Sequence, residues 1–233
     1  MKHFVIGDIH GGYKSMMQCF ERAKFNYEED ELIVLGDVVD GWPDTYKCVE
    51  ELLKVKNLIL ILGNHDAWAL EWFLYSDAPS LWTGQGGWAT IHSYNNAENI
   101  CVPQSHIDFF RNAVYAYVDD KTNTLFVHGG IDCDKDITEQ STERMMWDRE
   151  LLECAYWRHK ENPKYKFSKY NEIYVGHTTT FYFQTDKPMF VCNVIGADTG
   201  GGYEGYLTII DRDTKQYWQS DKLDSLYPGV KGR

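Results

Sequence analysis

Five short apolar runs in this chain each break off into a glycine-flanked cluster of Asp, His or Asn. FVIG at 4–7 leads into Asp8-Ile9-His10-Gly11-Gly12, and LIVLG at 32–36 leads into Asp37-Val38-Val39-Asp40-Gly41. LILILG at 58–63 runs into Asn64-His65-Asp66, LFV at 125–127 into His128-Gly129-Gly130, and IYVG at 173–176 into His177-Thr178. Runs this short and this rich in β-branched residues read as buried strands. A helical pattern follows each of the first three. Residues 13–24 put Met16, Met17, Phe20 and Ala23 on one face. Residues 43–55 open with Pro43 in the first turn and carry Val49, Leu52 and Leu53, and residues 67–75 are apolar almost throughout. Strand, loop and helix in repetition predict α/β layers. Ligand sites in such layers lie beyond the carboxyl ends of the strands, so the five clusters converge on one place.

The later half is less regular. Residues 106–113 read as a helix burying Ile107 and Phe110, and AVYAYV (113–118) pairs with TLFV as a hairpin across 119–123. Residues 142–160 read as one helix; YLTIID (206–211) and QYWQ (216–219) read as a second hairpin. No internal repeat, low-complexity tract or Pro/Ser-rich linker divides the chain, so a single domain over residues 1–233 is expected.

Composition narrows the function classes. With 23 Lys+Arg against 35 Asp+Glu the net charge is −12, wrong for a protein that grips a nucleic-acid polymer or anionic lipid through counterion release. Cysteines 19, 48, 101, 133, 154 and 192 are scattered without a CxxC pair, as in a chain with reduced thiols. There is no apolar run long enough to span a bilayer, and no basic-then-apolar leader at the start. A cytoplasmic protein is expected.

Oxygen and imidazole donors without thiolates suit Mn(II), Fe(II) or Zn(II). The donors outnumber what one ion with an open position can use, whereas two ions sharing a bridging carboxylate would use them well. The glycines supply tight turns and close backbone approach. A loop opening into a helix also offers free N–H groups to an anion.

In order, GDIHG, GDVVDG, GNHD, HGG and GHT resemble the motifs of the calcineurin-like metallophosphoesterases. They are nearest to the phosphoprotein phosphatase branch, whose pattern is GDxHG, GDxxDRG, GNHE, HGG and GH, and to its small bacterial and phage members. QGGW (85–88), WDR (147–149) and ADTG (197–200) add to the resemblance, which covers roughly residues 3–212. It implies a four-layer α/β/β/α sandwich of two mixed sheets. It also implies two divalent ions, most simply manganese. Asp8 and His10 would bind the first, Asp37 would bridge both, and Asn64, His128 and His177 would complete the second. His65, paired with Asp40, would be the general acid for the leaving oxygen. Arg149 and Asn64 would contact the phosphate. The implied reaction is hydrolysis of a phosphomonoester by in-line attack of a bridging hydroxide. A phosphorylated protein at serine or threonine is the leading substrate, with other small phosphoesters allowed.

The chain departs from that branch in instructive ways. The Arg of GDxxDRG is Gly41 here, and the Arg that commonly precedes GNHE is Leu62. Asp66 stands for Glu, as in symmetrical diadenosine tetraphosphatases, although those typically carry Ala at the position of Asp40. A tetraphosphatase-type nucleotide pyrophosphohydrolase is therefore the alternative, and a non-catalytic scaffold on the same fold a third class. Plainer roles also stand beside these. Asp8 and Asp37 can cap helices, and His65, His128 and His177 can be core histidines. Arg149 can be a surface ion-pair partner. Tryptophans 42, 68, 82 and 88 can line a substrate face or pack in core and lid. Cys133 reads as a packing residue, and His3, His92, His106 and His159 as carrying no chemistry. Asp198 either orients a metal-bound histidine or stabilises a turn.

Overall fold

Alternation along the strands sorts their side chains into three apolar cores, and the cores define the layers. The computed structural model describes residues 1–97 and 101–233. One five-stranded sheet has the order β10-β9-β1-β2-β3. Strands β1 (His3–Ile6), β2 (Glu31–Val34) and β3 (Asn57–Leu60) run parallel, with Val5 opposite Ile33 and Ile33 opposite Ile59. β9 (Thr208–Asp211) and β10 (Tyr217–Gln219) complete it as an antiparallel hairpin. The other five-stranded sheet has the order β4-β5-β6-β8-β7. β5 (Thr124–Val127), β6 (Glu172–Val175) and β8 (Val194–Gly196) are parallel there, flanked by antiparallel β4 (Ala116–Asp119) and β7 (Met189–Val191).

Successive strand residues face opposite ways. Phe4 and Ile6, Leu32 and Val34, and Ile209 join one core with helices α1 (Tyr13–Ala23), α2 (Thr45–Leu52), α3 (Asn64–Tyr75), α4 (Trp88–Asn95) and α5 (Gln104–Arg111). Leu125 and Val127, Ile173 and Val175, and Val194 join a second core with α6 (Thr142–Trp147) and α7 (Glu150–Glu161). The residues between them, Val5, Ile33, Phe126, Tyr174, Ile195 and Ile210, meet in a third core between the sheets. The result is the expected α/β/β/α sandwich. Burial on both faces is why the strands read as continuous apolar runs.

Phe126 lies at the centre of the third core, stacked against Tyr174 (5.1 Å) and Tyr117 (5.9 Å) and fully buried. Phe126→Ala is expected to cost ~3–5 kcal/mol. A urea midpoint within error of the parent would show that this core does not hold the sheets together.

Four local differences from the sequence reading have identifiable causes. Residues 142–160 form two helices, because Asp148 adopts an extended backbone and its Oδ1 accepts from Leu151 N (2.9 Å), starting α7 afresh. α2 starts at Thr45, with Pro43 outside it, because Trp42 N and Asp44 N donate to the carbonyls of His10 and Gly11. α3 starts earlier, at Asn64, so its first turn carries Asn64 and His65. β3 stops at Leu60, and Ile61 continues only as an isolated bridge to Val114. The second hairpin and the 113–127 hairpin form as expected, with shorter strands. β7, β8, α4 and the short helix α8 (Leu223–Leu226) have no counterpart in the sequence reading.

Candidate metal centre

The ends of β1, β2, β3, β5 and β6 meet, and backbone hydrogen bonds lock their loops together. Ile9 N and His10 N both donate to Asp37 O (3.1 and 2.8 Å), tying the first loop to the second. His65 N donates to Asp37 Oδ1 (2.9 Å), and His177 N to Asp8 Oδ2 (3.0 Å). Four site residues, His10, Asp37, Asp40 and His177, have φ of 49°, 49°, 70° and 59°. Asp and His tolerate this left-handed region better than most residues, and strain of this kind gathers where side chains must be aimed.

Two buried groups result, each with its candidate ligand atoms within 4.8 Å of one another: Asp8, His10 and Asp37, and Asp37, His128 and His177. Asp37 belongs to both. The imidazoles are oriented from behind. His10 Nδ1 donates to Val39 O (3.0 Å) and His128 Nδ1 to Leu35 O (2.7 Å), which turns each Nε2 inward. His128 Nε2 faces Asn64 Oδ1 at 3.1 Å and Asp37 Oδ2 at 3.4 Å. Neither ring nitrogen of His177 has a hydrogen-bond partner, and neither does Asp37 Oδ2, although all are buried. Buried polar atoms are seldom left so. Burial, with His128 nearby, pulls the His177 pKa down to about 2, so the ring is neutral and one of its nitrogens keeps a free lone pair. Burial would lower His128 too, but the Asp37 charge prevails and raises it to about 9. Burial and the neighbouring Asp198 hold Asp8 well above the usual carboxylate range. Orphaned oxygen and imidazole atoms around one shared carboxylate fit a pair of divalent ions.

His65 belongs to neither group. Its Nδ1 donates to Asp40 Oδ2 at 2.6 Å, and both side chains are fully buried. Asp40 also accepts from Trp82 Nε1 and from Thr90 Oγ1, each at 2.7 Å. Burial raises the Asp40 carboxyl and these donors pull it back, while fixing its orientation. Asp66, which stands where Glu is usual, is a brace. Its Oδ1 accepts from Val38 N (2.8 Å) and its Oδ2 from Gly63 N (3.2 Å), pinning the β2 and β3 loops.

Arg149 sits in the break between α6 and α7, and its Nη1 donates to His177 O (2.8 Å). It also lines a cleft of about 710 Å³ with Tyr156, Trp157, Lys160 and Tyr182. The tryptophans divide. Trp68 packs edge-on against His65 (5.2 Å), and Trp88 is exposed. Trp42 and Trp82 are fully buried, so they line no substrate face; Trp82 serves Asp40, and Trp42 stacks on Tyr227. Asp198 Oδ1 accepts from Gly200 N (2.9 Å), the turn-stabilising alternative. Cys133 packs against the α6–α7 core. His106 is buried between Tyr94 and Glu50, away from the centre. One residue at the centre lies outside every motif: Arg233, whose Nη1 is 2.7 Å from His65 Nε2. No local pattern around Lys231-Gly232-Arg233 marks it.

The calcineurin-like phosphoesterase family model matches residues 1–188. The chain belongs to this family. It is accordingly a hydrolase, of a family that works with a binuclear divalent metal centre. Among curated relatives, the phosphoesterase is 25% identical over 217 residues to serine/threonine-protein phosphatase 1 of Salmonella typhimurium, covering 88% of this chain and 89% of that one. It is 26% identical over 173 residues to a symmetrical bis(5'-nucleosyl)-tetraphosphatase of Wigglesworthia glossinidia brevipalpis, covering 74% of this chain but only 59% of that one. The solved structure of a candidate diadenosine tetraphosphatase superposes with a TM-score of 0.69 at 16% identity, covering 94% of this chain and 92% of that chain. At that identity the likeness supports the fold alone. No helix among the described residues is long and apolar enough to cross a membrane.

Proposed function

We propose that this phosphoesterase hydrolyses phosphomonoesters, with phosphoserine and phosphothreonine in proteins as its substrate class. The reading is carried by the buried His65–Asp40 pair. An alkoxide leaves poorly without a proton; His65, held at Nδ1 by Asp40, would supply one from Nε2, the atom that here accepts from Arg233 Nη1. Asp8 and His10 would hold one ion, Asn64, His128 and His177 the other, and Asp37 both. Bound ions supply positive charge for the phosphoryl oxygens and lower the pKa of the attacking water. Manganese is the expected metal, with iron or zinc compatible with the same donors. Arg149 would add a guanidinium, and Asn64 an amide, to the phosphate. The Salmonella phosphatase, matched over most of its length, supports this reading.

A second reading has its own observation. The cleft beside Arg149 is walled by Tyr156, Trp157 and Tyr182, with Lys160 over the Tyr156 and Trp157 rings (4.0 and 4.3 Å). An aromatic, cationic cleft of this kind suits a nucleoside polyphosphate, and tetraphosphatases are among the relatives. A panel on manganese-loaded protein separates the two. A phosphopeptide is expected to show a higher kcat/KM than diadenosine tetraphosphate. The reverse order would select the nucleotide reading, and no turnover of any ester would favour a scaffold.

A further inference from the structure

We propose that Arg233 supplies the guanidinium grip on the substrate phosphoryl group that Gly41 and Leu62 lack. The inference rests on the phosphoesterase reading above and names a binding residue that no motif marks. Arg233 is mostly buried, with 12% of its side chain exposed. Its Nη1 lies 2.7 Å from His65 Nε2, 3.2 Å from His10 Nε2 and 3.8 Å from Asp37 Oδ2. One guanidinium thus stands beside the His10 group and another, Arg149, beside His177. A guanidinium has five N–H donors in a fork that matches phosphate oxygens. Both imidazole contacts engage Nη1 alone, and among the described residues Nε and Nη2 have no hydrogen-bond partner. That leaves a forked face for an anion.

The seat for this arginine is built into the fold. Trp42, Leu223 and Tyr227 form a buried cluster, with Trp42 stacked on Tyr227 (5.2 Å) and its Nε1 donating to Gly201 O (2.8 Å). From it the chain returns to the centre, where Arg233 N donates to Gly202 O (2.9 Å) and the guanidinium lies over the Tyr203 ring (5.3 Å). Missing side chains make room. A Cβ on Gly86 would come 3.1 Å from Arg233 Cβ, and one on Gly202 3.1 Å from Arg233 Cδ. A Cβ on Gly41 would meet Arg233 N at 3.4 Å, and Gly41 has φ +91°, where any side chain is strained. An arginine at position 41 would start in contact with the Arg233 backbone and from a strained conformation.

The test uses inorganic phosphate as the probe, titrated calorimetrically into the manganese-loaded full chain, with metal content and circular dichroism as controls. Charge-assisted hydrogen bonds of this type imply that Arg233→Ala weakens phosphate binding ~10- to 100-fold at unchanged metal content. Arg233→Lys keeps the charge without the fork and is expected to recover only part of that loss. Parent-like phosphate affinity in Arg233→Ala would overturn the inference and leave the phosphoesterase reading standing. Tighter phosphate binding and faster turnover would also overturn it, by making Arg233 an internal plug. A parent protein that loads metal but neither binds phosphate nor cleaves any ester overturns the phosphoesterase reading, and this inference with it.

Discussion

Asp37→Asn should leave a folded protein that holds less metal and turns over more than ~100-fold more slowly, beyond the ~10- to 100-fold typical of losing a group one step removed from a metal. Three features of the position argue for so large an effect. Asp37 is the one residue common to both candidate ligand groups, and its Oδ2 has no hydrogen-bond partner among the described residues. Burial works against its charge, yet the neighbouring His128 and His65 hold the carboxyl well below the usual range. The amide keeps the shape and, through its oxygen, the contact from His65 N, while removing the charge that two cations would share. Elemental analysis and a phosphopeptide assay are the checks. Two ions per chain with full turnover would show that Asp37 is a structural hinge between the β1 and β2 loops and nothing more.

The strand ends were legible because a strand buried on both faces must be apolar throughout and must stop where polar atoms are wanted. Asp8, Asp37, Asn64, His128 and His177 all follow such stops, so one pattern disclosed both the sheets and the convergence. What stayed hidden depends on contacts distant in sequence. Trp82 reads as one more aromatic until its Nε1 is seen on Asp40, 42 positions away. Asp148 looks like a helical residue between Trp147 and Leu151, and only its extended backbone, packed against Gly129, shows why Arg149 faces His177. Arg233 is the extreme case. Nothing adjacent marks it, and its place is set by Trp42, Gly86 and Gly202, which belong to three segments far apart in sequence. The motifs lack the two arginines at positions 41 and 62, and the folded chain brings a cation to the centre from 168 positions beyond His65.

His65→Asn should slow cleavage of a phosphopeptide ~10²- to 10⁴-fold, the range for losing general acid catalysis, with metal content unchanged. The loss should be much smaller on p-nitrophenyl phosphate, because a stabilised phenolate departs without a proton. That contrast between leaving groups separates proton delivery from every positional role, since a residue that merely shaped the centre would slow both substrates alike. The geometry favours delivery. Asp40 is anchored by Trp82 and Thr90, and His65 is fixed by Asp40, so one imidazole nitrogen is turned away and the other is aimed at the centre. Trp68 packs against the ring edge-on at 5.2 Å and limits its rotation. Asp40→Asn should reproduce part of the same leaving-group dependence, because the amide no longer dictates which nitrogen carries the proton. If His65→Asn instead empties the metal centre, His65 is a ligand, and the proton must come from solvent or from another residue.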